Sequence, residues 1–187
     1  MPVAVGKRVV TPPYGIGVVA RTLGALIDNR PTPCFAVTIE IAGLTIQRSG
    51  ESQFSLGEVA PGFEVVVPMS ASSAILRELV TTPGARSILD GLYPADDSSY
   101  RNASFPDRLH QLDHALRSGS LGACAELLAT TLAGLLASVP GAMALSFGER
   151  KAVHALERVV IGEIALVLDE PADRLLQQVR ARFTPNA

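Results

Sequence analysis

LSFGERKAVHALERVVIGEIALVL, residues 145–168, decides how this chain folds. On a helical wheel at about 100° per residue, Ala152, Val153, Leu156, Val159, Val160, Leu166 and Val167 gather on one side. Arg150, Lys151, His154, Glu157 and Arg158 gather on the other, as on a wet face. Neighbours three or four apart on that face stabilise the helix by a few tenths of a kcal/mol per pair. Ser146 and Glu149 have the Ser-x-x-Glu spacing of a capping box, which starts the helix and gives Glu149 a structural task. Glu163 falls in the middle of the apolar side. A carboxylate there must be paired or hydrogen-bonded, so Glu163 is read as a structural anchor with Arg108 as its first-choice partner.

Outward from this helix, the helical period extends back to about Thr82. One helix runs from Pro83 to about Leu92, with Pro at its start. A polar linker, Tyr93 to Ala103, follows it. Ser104, Pro106 and Asp107 form the next helix start, Leu109, Leu112 and Leu116 its apolar stripe, and Ser118-Gly119 its end. Leu121 to about Ala137 is apolar nearly all round, as a central helix would be, and Pro140-Gly141 breaks it. A last helix runs from Pro171 to about Arg182. Before Pro68 the period is different. GKRVV (6–10), GIGVVART (15–22), CFAVTIEI (34–41), LTIQ (44–47) and FEVVVP (63–68) read as five short strands. Thr11 to Gly15, Asp28 to Pro31 and the polar Arg48 to Leu56 separate them. Strands at this spacing suggest a small barrel or strongly bent sheet, and Gln47 to Phe63 reads as a long, mobile loop. The chain is therefore α+β, with a β domain over 1–70 and a compact helical domain of about five helices over 71–187.

Composition narrows the function. The 187 residues are 48% apolar and 18% charged, with a net charge of −2. Proteins held on nucleic acid by electrostatics alone are strongly basic, so any DNA contact must be local or assisted. Cys34 and Cys124 lie far apart in apolar runs, with no metal or disulfide spacing, and read as reduced and buried. The N-terminus lacks the apolar core of a signal peptide. Leu121 to Val139 is about long enough to span a bilayer, but it contains Glu126, two threonines and two glycines and has no basic flank. It reads as a buried helix, and the expected location is the cytoplasm, with no membrane partner.

No enzyme constellation emerges. Tyr14-Gly15-Ile16-Gly17 precedes a strand instead of a helix, which excludes the phosphate-loop context. His110 and His114 share a helix face, but Gln111 stands where a zinc protease has its general base, and both lie opposite the leucine stripe. Asp96-Asp97 sits in the polar linker, and no Gly-x-Ser-x-Gly elbow is present. No catalytic residue, metal site or cofactor is expected.

A family resemblance adds to this. The LSFGE start and GEIAL end of the long helix resemble the last helix of the CarD/CdnL family of bacterial transcription regulators. VGKRVV (5–10) followed by YGIGVV (14–19) resembles the family's opening. Val65-Val66-Val67-Pro68 followed by Leu76-Arg77, and then Arg117-Ser118-Gly119, resemble later segments, with Ser120 in place of an Asp. Order and spacing together carry the match over most of the chain. The resemblance implies a Tudor/SH3-like β-barrel that binds the RNA polymerase β subunit, and a helical domain that meets promoter DNA and holds open complexes. It implies no enzymatic activity and a nucleoid-associated location through polymerase. The family's wedging tryptophan maps to Phe105, and its nearby arginine to Arg108. Asp107 replaces a basic residue usual between them. Phenylalanine can also wedge against a base step. Arg101, Arg150 and Lys151 complete the expected DNA-facing set. The expected polymerase-facing set is Val18, Arg21, Phe35, Val37, Val66 and Pro68, with Val18–Arg21 and Cys34–Ile39 as candidate edge strands for strand addition. From Pro83 to Ala187 there are ten Arg or Lys against twelve Asp or Glu, so DNA binding would be weak and polymerase-dependent, aided by tethering. The alternatives are an adaptor that binds another regulatory protein, and a metal hydrolase built on His110, His114 and His154.

Overall fold

A computed structural model describes residues 3–48, 54–93, 103–136 and 145–183. Asp28 and Asn29 take φ of 49° and 60°, the left-handed pair that a tight two-residue hairpin turn requires. That turn joins β2 (Gly15–Ile27) to β3 (Arg30–Ala42), paired antiparallel from Ile27↔Arg30 down to Gly15↔Ala42. Both strands outrun the apolar stretches that mark them in the sequence, because this turn lets pairing continue to the tip. β1 (Arg8–Thr11) pairs with the base of β2. β6 (Glu64–Pro68) pairs with Cys34–Thr38 of β3. The order is β1-β2-β3-β6, and the hairpin beyond Arg21 and Pro33 extends past both neighbours as a two-stranded arm.

Among the described residues the four strands form an open antiparallel sheet that does not close on itself. β1 and β6 lie at opposite edges and do not pair. The cause is where the chain goes after β3. Gly15 and Gly43 cross closely enough that a Cβ on Gly43 would lie 2.0 Å from the Pro13 carbonyl oxygen. The backbone then leaves the sheet, and Leu44 is buried among the helices. Among the described residues β4 (Leu44–Arg48) pairs only with β5 (Phe54–Glu58), as a separate two-stranded ladder. β5 lies within the stretch expected to be a mobile loop, and its pairing with β4 corrects that reading; residues 49–53 lie outside the described residues.

A 3-10 turn (Met69–Ala71) and the one-turn α1 (Ser72–Ile75) lead to α2 (Thr82–Gly91), α3 (Phe105–Ser118), α4 (Leu121–Leu136), α5 (Phe147–Leu168) and α6 (Ala172–Phe183). Thr81, Ser104 and Ser146 cap α2, α3 and α5 through their side-chain oxygens. Gly119, at φ 66°, ends α3 in the left-handed conformation. The linker residues 94–102 and the expected break at Pro140-Gly141 lie outside the described residues.

The central helix is α5, not the more apolar α4. It packs against α2, α3, α4 and α6 and against β2 and β3. Three carboxylates lie buried on it, Glu149, Glu157 and Glu163. Each is met by an arginine from another element: Arg108 of α3, Arg180 of α6, and Arg77 beyond α1. Ion pairing makes a charged helix burial-competent, which an apolar wheel alone does not reveal. One core fills the sheet with Val9, Val19, Val37, Ile39 and Val67, and Leu76 joins it from beyond residue 70. The other fills the helices, and Leu44 joins it from the β region. No helix of the described residues is long and apolar enough to cross a membrane.

Candidate functional site

The N-termini of α3 and α5 meet at one end of the helical layer. In α5 the Ser146 hydroxyl accepts from the Glu149 N–H at 3.2 Å, and the Glu149 carboxylate accepts from the Ser146 N–H at 2.8 Å. In α3 the Ser104 oxygen accepts from the Asp107 N–H at 3.4 Å. Arg108 ties the two starts together. Its Nε donates to Glu149, and its Nη1 donates to the Ala103 carbonyl at 2.6 Å. Burial alone would raise the Glu149 pKa. The Arg108 hydrogen bond, the two Ser146 bonds and the Arg108 charge together outweigh burial and hold it below its ordinary value.

Two phenylalanines flank this clasp. Phe105 and Phe147 occupy the first helical positions of α3 and α5 and are 38% and 68% exposed. Lys151 Nζ lies 5.2 Å from the Phe147 ring centroid, a cation–π arrangement. Arg150 is exposed beside it. An exposed phenylalanine ring beside a cation, as at Phe147 and Lys151, has the chemistry that stacks on bases and neutralises phosphates. Arg108, expected to face DNA, serves the clasp instead. Its side chain is 12% exposed and its guanidinium is engaged by Glu149 and Ala103. The physical reason is that the fully buried Glu149 needs a counter-charge. Arg101 lies outside the described residues. Phe147 is the residue that sequence reasoning missed. The available signal was a short repetition, Ser104-Phe105-Pro106-Asp107-Arg108 against Ser146-Phe147-Gly148-Glu149-Arg150, which starts both helices.

Glu163 is paired, but with Arg77 and not with Arg108. Arg77 Nη1 and Nη2 donate to its two oxygens at 2.6 and 2.7 Å, and the Val80 N–H donates at 2.9 Å. Arg77 Nε also donates to the Gly119 carbonyl at the end of α3. The Arg77 backbone bridges Val10 of β1 in both directions, at 2.8 and 3.1 Å. One residue thus fastens sheet edge, α3 and α5. Burial pushes the nearby Cys124 thiol up to about 11, with the Arg77 charge opposing and Glu163 adding to the shift, so it stays protonated at neutral pH.

The expected partner strands are redistributed. Cys34–Ile39 lies inside the sheet, between β2 and β6, and Val37 is fully buried. Val18 is held between Arg8 and Thr38. Cys34–Ile39 is not an edge there, because β6 docks on β3, and β1 covers β2 only as far as Val18. Arg21 lies just beyond β1, exposed and paired with Glu64 at 2.9 Å. Phe35 and Pro68 are half-buried. Val66, on the outer strand, is 44% exposed. Ile39 N–H donates to the Phe63 carbonyl, so alternation along an antiparallel ladder turns the Val66 N–H and C=O away from β3. No strand among the described residues pairs on that side.

The chain matches no protein-family model and no curated protein sequence. His110, His114 and His154 are exposed. Among the described residues no three His, Cys, Asp or Glu side chains gather as metal ligands. Glu157 was expected on a wet face but is 4% exposed. α6 covers it, and Arg180 Nη2 reaches its two oxygens at 2.8 and 2.9 Å.

Proposed function

We propose that this protein is a non-enzymatic regulator of bacterial transcription of the CarD/CdnL type. A strand of the RNA polymerase β subunit would add to β6, and the Phe105–Phe147 tip would face promoter DNA. The observation that carries this reading is the open edge of β6, with Val66 exposed and its backbone polar groups directed outward. An unpaired edge is what strand addition requires, and main-chain hydrogen bonds supply its affinity. The identity of the partner, the Tudor-like reading of the sheet and the nucleoid-associated location rest on the sequence resemblance. Affinity for the isolated β-subunit lobe tests the first half. Val66→Pro removes the outward N–H while leaving a tolerated edge residue, so affinity should fall at least about tenfold. Equal binding of both chains excludes docking by this edge, and no binding by the wild type excludes polymerase as the partner.

For the DNA half, Phe105→Ala and Phe147→Ala should each shorten open-complex lifetime by about fivefold to a hundredfold, the range of a lost base–aromatic contact of about 1–3 kcal/mol. Unchanged lifetimes in both would remove DNA from the proposal. A second reading then applies, an adaptor for another regulatory protein. The engagement of Arg108 by Glu149 favours it, since the cation carried over from the family is spent inside the fold. Salt separates the readings: phosphate contacts give an affinity that falls as salt rises.

A further inference from the structure

A cavity of about 410 Å³ opens between β3, α5 and α6, within the size range of small-ligand pockets. Ile41, Ile161 and Leu176 supply its apolar surface. Gly162 also lines it; a Cβ there would meet Ile41 Cδ1 at 2.9 Å, so the glycine lets sheet and helix come together. On the polar side Glu157 and Arg180 satisfy each other, and His154 Nδ1 lies 3.0 Å from Glu157. Arg158 and Asp173 also line the cavity. Both are exposed, and neither has a hydrogen bond or ion pair among the described residues.

We infer that this cavity binds a small zwitterion with an apolar tail, the chemical class of a free aliphatic α-amino acid. Arg158 takes the carboxylate, Asp173 takes the ammonium, and Ile41, Ile161 and Leu176 receive the side chain. The charges select this class. Two guanidinium groups and two carboxylates line the cavity, and one of each is consumed in the Glu157–Arg180 pair. What remains is one cation and one anion. A simple carboxylate ligand would leave Asp173 unmatched beside it, and a simple amine would leave Arg158 unmatched. This inference stands independently of polymerase or DNA binding.

Calorimetric titration of the full chain with L-leucine, isocaproate and isoamylamine tests it. The second probe lacks the ammonium group and the third lacks the carboxylate. Leucine should bind, and each analogue should bind at least about tenfold more weakly, the scale of one lost charge-assisted hydrogen bond. Arg158→Ala should weaken leucine about tenfold and leave isoamylamine unchanged. Asp173→Asn should weaken leucine and leave isocaproate unchanged. No leucine binding at about 10 mM, equal binding of the three probes by the wild type, or indifference of leucine affinity to both substitutions would each overturn the inference.

Discussion

An Arg77→Met chain is expected to lose about 3–5 kcal/mol of stability, the scale seen when one partner of a buried ion pair is removed. The Glu163 side chain is 0% exposed, against 27% for Arg77. Without the guanidinium, Glu163 keeps only the Val80 N–H among the donors it now has, and a buried carboxylate so poorly compensated is costly. The Gly119 carbonyl loses the Arg77 donor as well. A Glu163→Met substitution added to Arg77→Met removes the stranded charge, and such apolar replacements of whole buried pairs can approach neutrality. Here the recovery should be partial, because Val80 and Gly119 still lack their polar partners. The double chain should therefore lie between wild type and Arg77→Met in urea unfolding. A single substitution costing under about 1 kcal/mol would mean that the pair is solvated like a surface bridge.

The demand that Glu163 makes was legible in the sequence, and its partner was not. A carboxylate at the centre of an apolar stripe requires a cation, whatever the fold. Which arginine answers depends on α1 returning the chain to β1, where Arg77 bridges Val10. No local pattern around Leu76-Arg77 announces that return. The same limit explains Glu157. A wheel drawn for α5 alone leaves it on the polar side, and only the docking of α6 brings Arg180 over it. The β region shows a different limit. Phe54-Ser55-Leu56-Gly57-Glu58 is too short and too polar to stand out, yet it pairs with β4. By contrast, turn and cap chemistry was local and therefore readable: Asp28-Asn29, Ser104, Ser146 and Gly119 lie where their backbone preferences place them. At the candidate DNA tip, Phe105 drew attention through the resemblance. Phe147 did not, although it starts its helix with the same Ser-Phe-x-acid-Arg pattern.

Glu149→Gln should produce the second large effect, and its pH dependence identifies the cause. Glu149 is buried and accepts from Arg108 and from the Ser146 N–H. Glutamine keeps an oxygen for one of these bonds but removes the charge that answers Arg108, so the expected cost at neutral pH lies near the lower end of about 3–5 kcal/mol. In the wild type, the folded pKa of Glu149 is lowered from its ordinary value of 4.5. A lowered folded pKa means that the unfolded chain takes up the proton first on acidification. The stabilisation is therefore complete above the unfolded value and is lost as pH falls through the folded one. The stability gap between wild type and Glu149→Gln should be constant from about pH 7 to about pH 5 and should narrow below that. Urea unfolding of both chains across this range checks it, and a gap that holds unchanged to about pH 3 would mean that the charge of Glu149 is not what stabilises the clasp. The clasp also sets how α3 and α5 start beside each other, and with them Phe105 and Phe147. If the tip holds DNA, Glu149→Gln should shorten open complexes at neutral pH and at temperatures where the chain is still folded. A truncated ring removes a contact, whereas this substitution would leave both rings present and lose their common placement.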